Sequence, residues 1–150
     1  MKKIYIDFDG VILDTQFLIE KIKGEQYGNL SWKDFSINFE WEEFYDNAMV
    51  INDSINILKN FNNNDNIYII TKVDSIEEQE AKLKFIRKNN IKIPVYFVPY
   101  GMNKSDVVIP LSNTYLIDDN INNINDWVNK GGKGYHYNSD MNLNDIVVSL

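Results

Sequence analysis

At 150 residues, with 44% hydrophobic and 13% aromatic residues, the chain is long enough for one domain with a buried core. It has no cysteine, which excludes disulfides, a thiolate nucleophile and cysteine-ligated zinc, and its one histidine, His136, excludes a histidine-rich metal cluster. A formal net charge of -7 opposes binding to bulk nucleic acid, whose affinity comes from phosphates neutralised by Lys and Arg, so a phosphate-bearing partner is expected to be small.

The first element is the apolar strand Lys3 to Asp7. Asp7 and Asp9 break the apolar stretch, so we expect no signal peptide, no membrane span and no membrane partner, and a cytoplasmic location. Two carboxylates one residue apart share a face only while the chain stays extended. Gly10 lets it bend, so that Asp9 can offer its backbone carbonyl beside the side-chain oxygens, the ligands a hard cation takes.

From Gln16 to Asn52 the chain is rich in aromatic residues, with Phe17, Trp32, Phe35, Phe39, Trp41 and Phe44, and its periodicity is helical. A helix is expected near Asp53 to Asn60, and the polar cluster Asn62 to Asn66 reads as a loop. A strand then runs from Asn66 to Thr71. Ser75 and Glu78 have the spacing of a capping box, opening a helix that lasts to Lys88 and stops at Asn89-Asn90. Val95 to Val98 is a strand, Lys104 lies on the loop after Tyr100-Gly101, and Thr114 to Asp118 is a strand ending in the pair Asp118-Asp119. Ile121, Ile124 and Val128 mark a helix capped by Asn120 and ended by Gly131-Gly132, before a last strand from Gly134 to Tyr137.

This alternation predicts an α/β fold: a doubly wound, Rossmann-like parallel sheet of about five strands, helices on both faces. Residues 1–15 and 53–150 would form the core domain, and 16–52 a small, mainly helical cap inserted after the first strand. That cap should lie over the C-terminal ends of the strands, where open α/β sheets bind ligands.

The same edge receives Asp7, Asp9, Thr71, Lys104, Asp118 and Asp119. A phosphate monoester needs a nucleophile, a metal to offset its charge, donors for its oxygens and an acid for the leaving group, and these residue types supply each part. In their order and type the motifs resemble those of the haloacid dehalogenase (HAD) superfamily of aspartate-dependent phosphatases: Asp7-Phe8-Asp9-Gly10-Val11, then Thr71, Lys104 and Asp118-Asp119. The resemblance implies that Asp7 attacks phosphorus and carries an aspartyl phosphate, and that Asp9 is the general acid and then the base. It also implies Mg2+ as cofactor, held by Asp7, the Asp9 carbonyl and Asp119, with Asp118 orienting a metal water. Thr71 and Lys104 would bind the phosphoryl oxygens. Lys82 rivals Lys104 but sits within the predicted helix, away from the strand ends, and Lys72 reaches either a substrate phosphate or the surface.

The layout is also similar to that of the compact 5′(3′)-deoxyribonucleotidases of the superfamily, in which cap aromatics stack on a base. Phe17, Trp32 and Trp41 are the candidate substrate-binding rings, each such contact being worth about 1–3 kcal/mol, and ordinary packing of the cap is the alternative for each. A nucleoside 5′-monophosphatase is therefore the leading expectation. A phosphatase or phosphotransferase for another small metabolite comes next, and a non-catalytic module binding a phosphorylated ligand or a protein is the reading from another class. The expected partner is a small phosphorylated substrate, a nucleotide first, and a homo-oligomer is compatible with the sequence.

Overall fold

Period-two alternation of apolar side chains explains the sheet. In β1 (Lys3–Ile6), β2 (Ile67–Lys72) and β4 (Thr114–Asp118), Ile4, Ile6, Ile67, Ile69 and Ile117 join one apolar layer, while Tyr5, Ile70 and Leu116 join another. Both faces are therefore covered. With β3 (Val95–Val98) and β5 (Lys133–His136), the five strands form a wholly parallel sheet in the order β3-β2-β1-β4-β5. The computed structural model describes residues 1–150.

After β1 the chain builds outward on one side to β3, then returns to place β4 and β5 on the other. The order thus reverses between β1 and β4, where a crevice opens beyond the strand ends. Register brings Ile6 level with Ile69 and Ile117, and the Asp7 amide donates to the Ile117 carbonyl at 2.9 Å.

The smaller layer is covered by α7 (Ile121–Asn129) through Ile124 and Trp127. The larger one takes α5 (Ile76–Lys88) through Ala81, Phe85 and Ile86, Leu58 of α4 (Ser54–Asn60), and Leu143 and Ile146 of α8 (Leu143–Ser149). Between β1 and α4 lie α1 (Gln16–Gln26), α2 (Trp32–Asn38) and α3 (Trp41–Asp46), the mainly helical insertion expected after the first strand. Its Ile19, Phe35, Trp41 and Tyr45 belong to the same continuous core as the sheet, and α2 and α3 pack along α5.

Lys104 is not on an open loop. It begins the four-residue helix α6 (Lys104–Val107), which Asn103 and Asp106 cap reciprocally. The capping box expected at α5 is half made: the Ser75 hydroxyl accepts from the Glu78 amide, but the Glu78 carboxylate takes the Asp74 amide instead of that of Ser75.

Candidate active site

Asp7 stands one residue past the central strand, and Asp118 ends its neighbour. The Lys104 ammonium bridges them, donating to Asp7 Oδ1 at 2.8 Å and to Asp118 Oδ2 at 2.6 Å. Asp118 is further fixed by the Asn120 amide on Oδ1 and by Asn123 Nδ2 on Oδ2. Its hydrogen-bonding capacity is nearly spent.

Asp119 completes a cluster in which carboxylate oxygens of Asp7, Asp118 and Asp119 lie within 4.8 Å of one another. His136 Nε2 donates to the Asp119 backbone carbonyl at 2.9 Å. Gly10 makes room for the Asp119 carboxylate: its φ is +86°, and a Cβ there would meet Asp119 Oδ2 at 2.0 Å.

One ammonium against three carboxylates leaves negative charge over. Burial first, then repulsion from Asp118, holds the Asp7 carboxyl well above the usual range, with Lys104 pulling the other way. Burial and Asp118 push Asp119 up to about 6. Burial opposes the charge on Lys104, but Asp7 and Asp118 outweigh it and raise its pKa. The donor set is all oxygen, with charge uncompensated, and the Asp9 carbonyl accepts no backbone hydrogen bond. These residues fit a hard divalent cation.

The Asp9 carboxylate stands outside that cluster. Its Oδ1 accepts from the Thr15 hydroxyl at 2.6 Å, and its Oδ2 pairs with Lys82 at 2.8 Å. Thr15 is the residue before α1, where a hydroxyl ordinarily caps the helix, but its side chain makes no cap bond. Lys82 also donates to Thr71 Oγ1 at 2.9 Å, and Thr71, expected to bind phosphoryl oxygens, is fully buried and does not border the cavity over this centre. The expectation that Lys82 lies away from the strand ends is thus corrected: from mid-helix, its long side chain reaches back to the ends of β1 and β2.

A cavity of about 520 Å³ opens on this centre, bordered by Asp7, Asp9, Lys104 and Asp119 and, further out, by Lys72, Trp32, Trp41 and Tyr100. Lys72 donates to Asn123 Oδ1 at 3.2 Å. The three candidate rings differ. Trp32 is 37% exposed at the cavity, whereas Trp41 is 5% exposed, with its indole N–H donating to the Ser36 carbonyl. Phe17, 74% exposed, borders a separate cavity of about 380 Å³ beside Gly10 and Tyr137.

Sequence reasoning missed Thr15, Glu78, Tyr100 and Asn123 as site residues. A signal existed for Glu78 and Lys82: they share a helix face with Phe85 and Ile86, so two charges lie on an otherwise apolar stripe.

No protein-family model matches this chain, and no curated protein matches it. Two solved structures of the HAD domain of the effector protein Lem4 from Legionella pneumophila align with it at 14% identity over 99% of this chain and 92% of theirs. Their TM-scores are 0.54, for an inactive mutant, and 0.56. The chain therefore has the HAD fold, the class expected from its motifs. No helix is long and apolar enough to cross a membrane.

Proposed function

We propose that this chain is a HAD-type phosphomonoester hydrolase that works through an aspartyl-phosphate intermediate on Asp7. The observation that carries the reading is the Lys104 ammonium shared between Asp7 and Asp118, with Asp119 beside them, at the floor of the cavity.

An Asp7 oxygen attacks phosphorus as the bond to the leaving oxygen breaks, and Asp9 gives that oxygen its proton. Water then attacks the aspartyl phosphate, Asp9 takes the proton back, and Asp7 is freed with release of phosphate. Lys104 holds Asp7 in place and offsets the repulsion between its carboxylate and the incoming dianion. Mg2+, held by Asp7, Asp119 and the Asp9 carbonyl with Asp118 orienting its water, would supply positive charge for the carboxylates and the transferring group. Lys72 and Lys104 are the cations that would bind the phosphoryl oxygens, and their place on the cavity wall supports this. Thr71 acts through its bond to Lys82.

A nucleoside 5′-monophosphate is the proposed substrate class. Supporting it are the partly exposed rings of Trp32 and Tyr100 on the cavity wall, surfaces on which a base could stack.

The test is phosphate release from nucleoside 5′- and 3′-monophosphates, sugar phosphates and an aryl phosphate, with and without Mg2+, for the wild type and Asp7→Asn. Metal-dependent turnover, lost in a folded Asp7→Asn protein, is expected. A silent panel from folded protein, or turnover surviving in Asp7→Asn, would overturn the reading. Trp32→Ala should raise KM for nucleotides more than for the aryl phosphate; equal changes would remove the nucleotide from the proposal.

A further inference from the structure

The second buried lysine contacts Asp9 and Thr71 but has no role of its own in the phosphoryl-transfer steps. Lys82 is 0% exposed, and its three N–H donors face four acceptors: Asp9 Oδ2 at 2.8 Å, the Lys72 carbonyl at 2.8 Å, Thr71 Oγ1 at 2.9 Å and Glu78 Oε2 at 3.0 Å. Glu78 is held in turn by the insertion, since the Ser36 hydroxyl of α2 donates to its Oε1 at 3.0 Å. The ammonium therefore ties one strand end, one helix and the insertion to a single carboxylate oxygen at the cavity.

Stability alone does not account for this arrangement. A buried ion pair gives up hydration on both sides, and a well-packed apolar pair of the same volume is commonly as stable or more so. What a donor at this place supplies, and an apolar side chain would not, is a fixed position for Asp9. With Thr15 on one oxygen and Lys82 on the other, the Asp9 carboxylate is clamped from both sides. It stays at the cavity wall and out of the cluster formed by Asp7, Asp118 and Asp119. Lys104 serves that cluster, and Lys82 gives Asp9 a cation of its own.

We infer that Lys82 is a positioning residue for the phosphatase reaction, holding Asp9 where its carboxyl can hand a proton to the leaving oxygen. The inference rests on the phosphatase reading above, in which the P–O bond to the leaving group breaks as Asp9 releases that proton. Glu78 and Ser36 hold Lys82 in turn, so the seating of the insertion on α5 sets the geometry of the acid.

The leaving group distinguishes this role from a structural one. An alkoxide needs the proton as it departs, whereas 4-nitrophenolate leaves largely without it. Lys82→Met should lower kcat/KM, which covers the steps up to departure of the leaving group, about a hundredfold on the best alkyl phosphate of the panel and less than about tenfold on 4-nitrophenyl phosphate, within the range of general acid catalysis. In an Asp9→Asn background, Lys82→Met should add less than about threefold on the alkyl ester, because the residue it acts through is already lost. If Lys82→Met does not fold, Lys82→Met combined with Glu78→Gln, which removes the charge from both partners, replaces it in the same comparison. Equal losses of kcat/KM on the two substrates, or a full further loss in the Asp9→Asn background, would overturn the inference and leave the phosphatase reading standing. A wild type silent on both substrates would remove the two together.

Discussion

The two buried lysines make a controlled comparison within one site. Each ammonium lies between two carboxylates, Lys104 between Asp7 and Asp118, Lys82 between Asp9 and Glu78. Lys104 comes from a short helix following an edge strand and joins residues 97 and 14 positions away. Lys82 comes from the middle of a long helix and takes one of its carboxylates from its own preceding turn. The charge balance differs as well. A third carboxylate, Asp119, crowds the Lys104 side and leaves it short of positive charge, whereas hydroxyl and carbonyl acceptors fill out the Lys82 side. The carboxylates of one half could hold a further cation. The other is already complete.

The strongest way to break the comparison is to remove each lysine and ask which loss a divalent cation repairs. Taking one partner from a buried ion pair costs about 3–5 kcal/mol, so Lys104→Met and Lys82→Met should both melt well below the wild type in metal-free buffer. Added Mg2+ should then raise the melting temperature of Lys104→Met by more than it raises that of the wild type, because the ion meets two carboxylates that have lost their cation. Lys82→Met should gain no more than the wild type does. An equal Mg2+ response in both variants would erase the distinction.

That asymmetry also marks where sequence reading succeeds. The strands Val95–Val98 and Thr114–Asp118 were legible to the residue from β-rich apolar runs bounded by turns, and strand-end logic led from them to Asp118, Asp119 and Lys104. Lys82 was not legible in that way, because strand-end logic follows backbone position and a lysine side chain carries its charge about 6 Å from the backbone. The aromatics show a related gap. Periodicity identifies 16–52 as helical but does not separate Trp32, part-exposed at the cavity, from Trp41, which borders the cavity yet is buried with its ring stacked on Tyr45 in the core. The helix α8 is short, with Asn142 capping through the Asp145 amide as its one clear signal.

Gly10 belongs to the Lys104 half, and Gly10→Ala tests that half alone. A side chain at positive φ costs about 1–2 kcal/mol, and the new methyl would displace the Asp119 carboxylate that now fills the space. The expected result is a melting temperature lowered by about 2–8 °C with most of the Mg2+-induced rise lost. A variant that keeps the full rise would show that Asp119 does not take part in holding the ion.

The smallest expected effect uses pH to separate the two halves. Asp119, lifted to about 6, holds its proton more tightly in the folded chain than in the unfolded one, and Asp7 is shifted in the same direction. The contribution of Asp119 to stability is therefore fully present below the ordinary carboxylate range and is lost as pH rises through about 6, and that of Asp7 runs in the same direction. Lys82 behaves differently. Burial opposes its charge, but Asp9 and Glu78 raise it above its ordinary 10.5, so its contribution persists across the whole neutral range and fades only in strong alkali. In metal-free buffer the melting temperature should fall by about 2–4 °C between about pH 4 and pH 7, and Asp119→Asn should flatten that slope. With Mg2+ the slope should reverse, since the ion binds the deprotonated carboxylates and its stabilisation grows as they ionise. If Asp119→Asn leaves the slope unchanged, the acid-range titration belongs elsewhere and the uncompensated charge does not sit beside Lys104.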